Sequence, residues 1–75
     1  MEMLSMKTNI DKKDLGQAIR NLRKDKGLSQ RDLASQTGVH YSNIAQIEAG
    51  KSNPTLETLM KLAEKCDAQI TISGK

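Results

Sequence analysis

Aromatic side chains are almost missing from this chain of 75 residues: there is no Trp, no Phe and one Tyr, Tyr41. Any core must therefore be built from Leu, Ile, Val, Ala and Met. A single domain this short is near the lower limit for folding without metal or disulfide staples. Such a core supplies only about 3–5 kcal/mol, which favours gaining stability by dimerising. Cysteine is nearly absent too. The lone Cys66 excludes an intramolecular disulfide framework and fits a reducing cytosol. Its place on a helical apolar stripe reads as buried structure rather than chemistry. One His and one Cys are too few soft ligands for a zinc site, so neither metal nor cofactor is expected. No run approaches the roughly 20 apolar residues of a membrane span, and the N-terminus lacks the apolar core of a secretion signal. A cytoplasmic protein with no membrane partner is expected. Catalysis is not: no nucleophile–base spacing is present, the acids are scattered on helical surfaces, and no Gly-rich loop joins a strand to a helix.

Charge is the first positive signal. The net +3 is a mild bias toward polyanions. Its distribution says more, because Lys7, Lys12, Lys13, Arg20, Arg23, Lys24, Lys26 and Arg31 crowd the first half of the chain. Residues 1–10 have no convincing period and read as a flexible arm. Residues 11–66 read as one helical domain. Asp11 or Asp14 can cap a first helix whose apolar residues, Leu15, Ala18, Ile19 and Leu22, recur at helical spacing. Gly27 ends it. A second helix is expected over about Gln30 to Thr37 and a third over about Tyr41 to Ala49. Pro54 disfavours helix at the residue before it. Thr55 then opens a fourth helix with the stripe Leu56, Leu59, Leu62, Ala63 and Cys66.

The segment from Gly27 to Pro54 carries the densest punctuation. Ser29 is a good N-cap with Asp32 three residues on, and Gly38 stands where a chain leaving one helix needs positive φ. Val39, Ile44 and Ile47 form an apolar stripe, while Tyr41, Ser42, Asn43 and Gln46 point the other way. Two short helices joined by a tight turn are the expected product. The segment resembles the helix-turn-helix domain of phage-repressor-like regulators, the Cro/C1 or Xre type. The matching residues include Leu22-Arg23, Leu28-Ser29-Gln30, Asp32-Leu33-Ala34, Gly38-Val39, Ile44, Ile47-Glu48, Gly50-Lys51, Asn53-Pro54-Thr55-Leu56 and Leu59. The likeness spans about Leu15 to Cys66.

That resemblance implies an all-α, four-helix repressor-like fold whose third helix enters the DNA major groove. Carried over position by position, Tyr41, Ser42 and Gln46 fall where base-reading side chains lie, with Asn43 and His40 as secondary contacts. Gln46 could grip adenine through N6 and N7. His40 stands where the family usually carries a Ser or Thr cap. Gln30 matches a glutamine that touches the DNA backbone, at a helix start whose N–H groups favour an anion. Lys51, Ser52 and Asn53 are expected on the sugar-phosphate chain, and Arg31 is a further phosphate candidate. Arg23 and Glu48 match a structural ion pair linking the first and third helices.

The family usually continues with a fifth helix, and this chain does not. Residues 67–75 alternate apolar with polar and carry β-branched side chains, so they read as a strand and tail. A lone strand leaves its ladder groups unpaired. The simplest partner is the same strand of a second copy, antiparallel across a two-fold axis, burying Ala68, Ile70 and Ile72. Pairing with the Met1–Met6 arm is the alternative, and fraying a third. The strand also resembles that of antitoxin repressors in kinase-toxin systems. The function implied is a transcriptional repressor that binds double-stranded DNA at a palindromic operator as a homodimer. The alternative is an antitoxin that neutralises a toxin protein partner and autoregulates its operon.

Overall fold

Each helix begins on the polar side chain that can satisfy its orphan N–H groups. The computed structural model describes residues 2–7 and 11–73, with the side chains of residues 11–70. Asp11 caps α1 (Lys12–Asp25), its carboxylate accepting from the Lys13 N–H at 3.0 Å. Ser29 caps α2 (Gln30–Thr37) in a reciprocal box: its hydroxyl accepts from the Asp32 N–H at 2.9 Å, and Asp32 accepts from the Ser29 N–H at 3.0 Å. Gly38 ends α2 at φ 78°, a left-handed conformation that a β-carbon disfavours. His40 caps α3 (Tyr41–Glu48), and Thr55 caps α4 (Leu56–Lys65) by accepting from Thr58 N–H at 3.1 Å. The expected helices are therefore present, in the expected order.

The aliphatic stripes converge on one centre. Ile19, Leu33, Ile44, Ile47, Leu62 and Cys66 are fully buried there, joined by Leu15, Leu22, Val39, Leu59 and Ala63. Leu56 is a correction to the expected α4 stripe, because it is 54% exposed, beside Met60 at 48%. On a helix of 3.6 residues per turn, Leu59, Leu62, Ala63 and Cys66 take the inward face. Leu56 and Met60 lie one strip over, lining a groove with Ala68 and Ile70.

The ends of the chain differ from the loose arm expected at residues 1–10. Glu2–Lys7 form a strand, β1, parallel to β2 (Ala68–Ser73), with Glu2 opposite Ala68, Leu4 opposite Ile70 and Lys7 opposite Ser73. Of the partners open to β2, the structure has the arm. Parallel strands cannot be joined by a hairpin, so the whole helical domain serves as their connection. Two strands alone are marginal, but Ala68 is buried in the core and Ile70 packs against it. Burial of Ala68 thus needs no second copy. The Ile72 side chain and residues 8–10 lie outside the described residues. Asp67, at φ 54°, makes the turn from α4 into β2, and an exposed ion pair from Lys26 Nζ at 3.0 Å tethers it to the end of α1.

Candidate nucleic-acid interface

Helix α3 has two faces of opposite character. Ile44 and Ile47 are fully buried, while Tyr41, Ser42, Asn43 and Gln46 are all exposed. Four hydrogen-bonding side chains therefore stand together on an outward surface with a rigid apolar backing. His40, also exposed, does cap the helix in place of Ser or Thr. Its Nδ1 accepts from the Ser42 N–H at 3.3 Å and lies 2.9 Å from the Ser42 hydroxyl. Because a backbone N–H can only donate, the neutral ring must carry its proton on Nε2. The Ser42 hydroxyl is thus partly engaged within the protein, whereas Gln46 makes no such local bond among those described.

Glu48, at the last turn of α3, fastens this helix to the other two. Its Oε2 accepts from Arg23 Nε at 2.7 Å and its Oε1 from Arg23 Nη2 at 2.9 Å, a bidentate pair whose side chains are only 10% and 4% exposed. Arg23 Nη1 donates onward to the Leu28 carbonyl at 2.8 Å, so the guanidinium has partners on both sides. The hydrogen bond to Glu48 raises the Arg23 pKa further above its ordinary value, against the opposing pull of burial. The ion pair expected from the sequence is in place, linking α1 to α3. A third member was not expected: Gln30, in the first turn of α2, donates Nε2–H to Glu48 Oε1 at 3.0 Å. One carboxylate so holds α1, α2 and α3 in fixed relation.

Gly16 completes the joint, and the sequence reading missed it. It is buried in α1, and a β-carbon there would lie 2.9 Å from the Glu48 carbonyl oxygen and closer still to that of Ile47. The end of α3 therefore seats directly on the backbone of α1. A glycine inside an amphipathic helix, at a cost of about 1 kcal/mol relative to Ala, was the available signal.

The expected phosphate-contacting residues fall into two groups. Gln30 and Arg31 are on the first turn of α2. Arg31 is exposed, and its guanidinium carbon stands 4.5 Å from the centroid of the Tyr41 ring. Gln30 is half-buried with one amide hydrogen already on Glu48. In the same turn, hydrogen bonding with Ser29, chiefly through its backbone N–H, holds the Asp32 carboxyl below its usual range. Lys51, Ser52 and Asn53 are in the loop between α3 and α4. Lys51 and Asn53 are exposed, but the Ser52 hydroxyl is buried without a protein partner and would have to turn outward to meet a phosphate. Among the described residues no group of His, Cys, Asp and Glu could hold a metal ion, and no helix is long and apolar enough to cross a membrane.

Known proteins share this fold. A family model described as helix-turn-helix matches residues 19–72. The transcriptional regulator SinR of Bacillus subtilis is 35% identical over 57 residues, covering 75% of this chain and 51% of SinR. Its structure in complex with DNA superposes with a TM-score of 0.71 at 36% identity, over 73% of this chain and 89% of that one. The restriction-modification controller protein C.AhdI of Aeromonas hydrophila gives a TM-score of 0.75 at 39% identity, covering 79% and 89% of the two chains. The chain spans less than half the length of the first curated relatives it matches, 30% and 41%. The roles named among these relatives are regulatory, not enzymatic, and none of the names speaks of a toxin partner. By the match over residues 19–72, the chain belongs to the helix-turn-helix family of Cro/C1-type transcriptional regulators.

Proposed function

We propose that this chain is a sequence-specific, double-stranded DNA-binding repressor of transcription, acting in the cytoplasm as a homodimer on a palindromic operator. One observation carries the reading: α3 presents Tyr41, Ser42, Asn43 and Gln46 outward from a fully buried Ile44–Ile47 back. A groove-filling helix must hold its base-reading side chains in fixed register. The Arg23–Glu48–Gln30 network and the Gly16 contact supply that rigidity. Tyr41 and Gln46 are the principal base contacts, with Ser42, Asn43 and His40 secondary. Gln30, Arg31, Lys51 and Asn53 meet the phosphates, joined by Ser52 if its hydroxyl turns out. Phosphate contacts position the helix and make binding steeply salt-dependent.

A palindrome requires two copies, with recognition helices about 34 Å apart or a multiple of that. One edge of β2 is taken by β1. Antiparallel pairing with a second copy then uses the other edge, and the exposed Leu56 and Met60, which share a groove with Ala68 and Ile70, are apolar surface such a copy could cover. The Ala68 and Ile70 face supports the strand from beneath rather than forming the contact itself.

In vitro selection of random duplexes at near-physiological salt tests the reading. Enrichment of an inverted repeat with half-sites about ten base pairs apart is expected. Salt-sensitive binding without enrichment of any sequence would reject it.

A further inference from the structure

Tyr41 is the first residue of α3 and Arg31 the second of α2, and the tight turn brings the guanidinium over the ring. The guanidinium carbon stands 4.5 Å from the ring centroid, and Tyr41 as a whole residue is 39% exposed. Arg31 forms no ion pair among the described residues; the nearby Asp32 carboxylate is committed to Ser29. A planar guanidinium stacked on an aromatic face spends its π surface there and keeps its N–H groups free around its perimeter.

We propose that Arg31 is the positioning residue for Tyr41, the two acting as a single DNA-reading unit across the helix-turn-helix: Arg31 fixes the ring on its base pair while its outer N–H groups hold the flanking phosphate. This rests on the reading of Tyr41 as a base contact. Tyr41 is thereby a specificity-determining residue whose selectivity depends on a side chain that touches no base.

Lysine separates this role from simple attraction, because it keeps the charge and loses the planar stack. The test is repeated duplex selection with purified full-length wild type, Arg31→Lys, Arg31→Ala, Tyr41→Ala and the Arg31→Ala/Tyr41→Ala double variant. Binding constants are measured over a salt series, and thermal melts confirm folding. Tyr41→Ala should relax preference at one base pair per half-site. Arg31→Lys should relax the same base pair roughly two- to fivefold with the salt slope unchanged. Arg31→Ala in the Tyr41→Ala background should then alter the salt slope only, with no further change in preference.

If Arg31→Lys leaves that preference intact, and Arg31→Ala weakens all sequences equally, Arg31 is a phosphate contact alone and the proposal fails. If Tyr41→Ala changes no base preference while selection still finds an operator, the reading of Tyr41 fails first and takes the proposal with it.

Discussion

Replacing Glu48 with Ala strands the most demanding group in the molecule. Arg23 would keep its Leu28 carbonyl but lose the two charge-assisted bonds at 2.7 and 2.9 Å, in a site where the arginine side chain is only 10% exposed. Gln30 would lose its partner as well. Breaking a buried pair from one side costs about 3–5 kcal/mol. The narrow opening to water here reduces that to about 2–4 kcal/mol, still comparable with the roughly 3–5 kcal/mol that a core of this size supplies. The melting temperature should fall by roughly 10–30 °C, as read by circular dichroism at 222 nm. Replacing both partners with apolar residues, Arg23→Met with Glu48→Leu, should recover most of the loss, since no charge is left without a partner. In whatever fraction of Glu48→Ala remains folded, base preference should change far less than stability does, because Glu48 itself touches no base. A melting temperature within about 2 °C of the wild type would refute the reasoning, because a buried guanidinium cannot lose its counter-ion so cheaply. So would a double variant less stable than Glu48→Ala.

Three other outcomes follow from the same geometry. Gly16→Ala improves helix propensity by up to about 1 kcal/mol but drives a β-carbon into the Ile47 and Glu48 carbonyls. The clash should win, lowering the melting temperature by roughly 5–15 °C; a more stable variant would show that α1 and α3 separate freely. His40→Ser should strengthen the α3 cap by about 0.5–1 kcal/mol, raising the melting temperature by several degrees, and an unchanged or lower value would mean the imidazole cap is already as good. For Asp32 the folded carboxyl is held below its unfolded value, so its stabilisation is complete above the unfolded value and is lost as pH falls through the depressed folded one. Thermal melts from about pH 6 to about pH 2 should therefore fall less steeply for Asp32→Asn than for wild type, and parallel curves would remove Asp32 from the acid response.

What the chain shows locally, its sequence showed. Ser29 with Asp32, the left-handed Gly38, Thr55 and the Leu15–Leu22 stripe each act within a few residues, so the helices and their order could be read directly. Arg23 and Glu48 lie far apart in sequence, and only family resemblance paired them. Contacts across the fold were beyond reach. Gly16 is demanded by a helix 31 residues further on, at Ile47. The β1–β2 ladder joins residues at opposite ends of the chain, and alternation reveals a strand without naming its partner. Leu56 fits a helical stripe but lies at its rim, where packing rather than periodicity decides burial. The same limit applied to the site: exposure of Tyr41 and Gln46 could be read, but neither the Arg31 stack nor the Gln30–Glu48 bond could. The turned-in Ser52 hydroxyl has no signature in sequence.

The most direct measurement is an amide chemical-shift titration of the isotopically labelled protein with its selected duplex. The account predicts that the largest changes map to Gln30, Arg31, residues 40–46 and residues 51–53, while the core-facing amides of α4 move little. If the changes instead gather on α4 and β2, with residues 40–46 silent, then α3 is not the DNA-reading element.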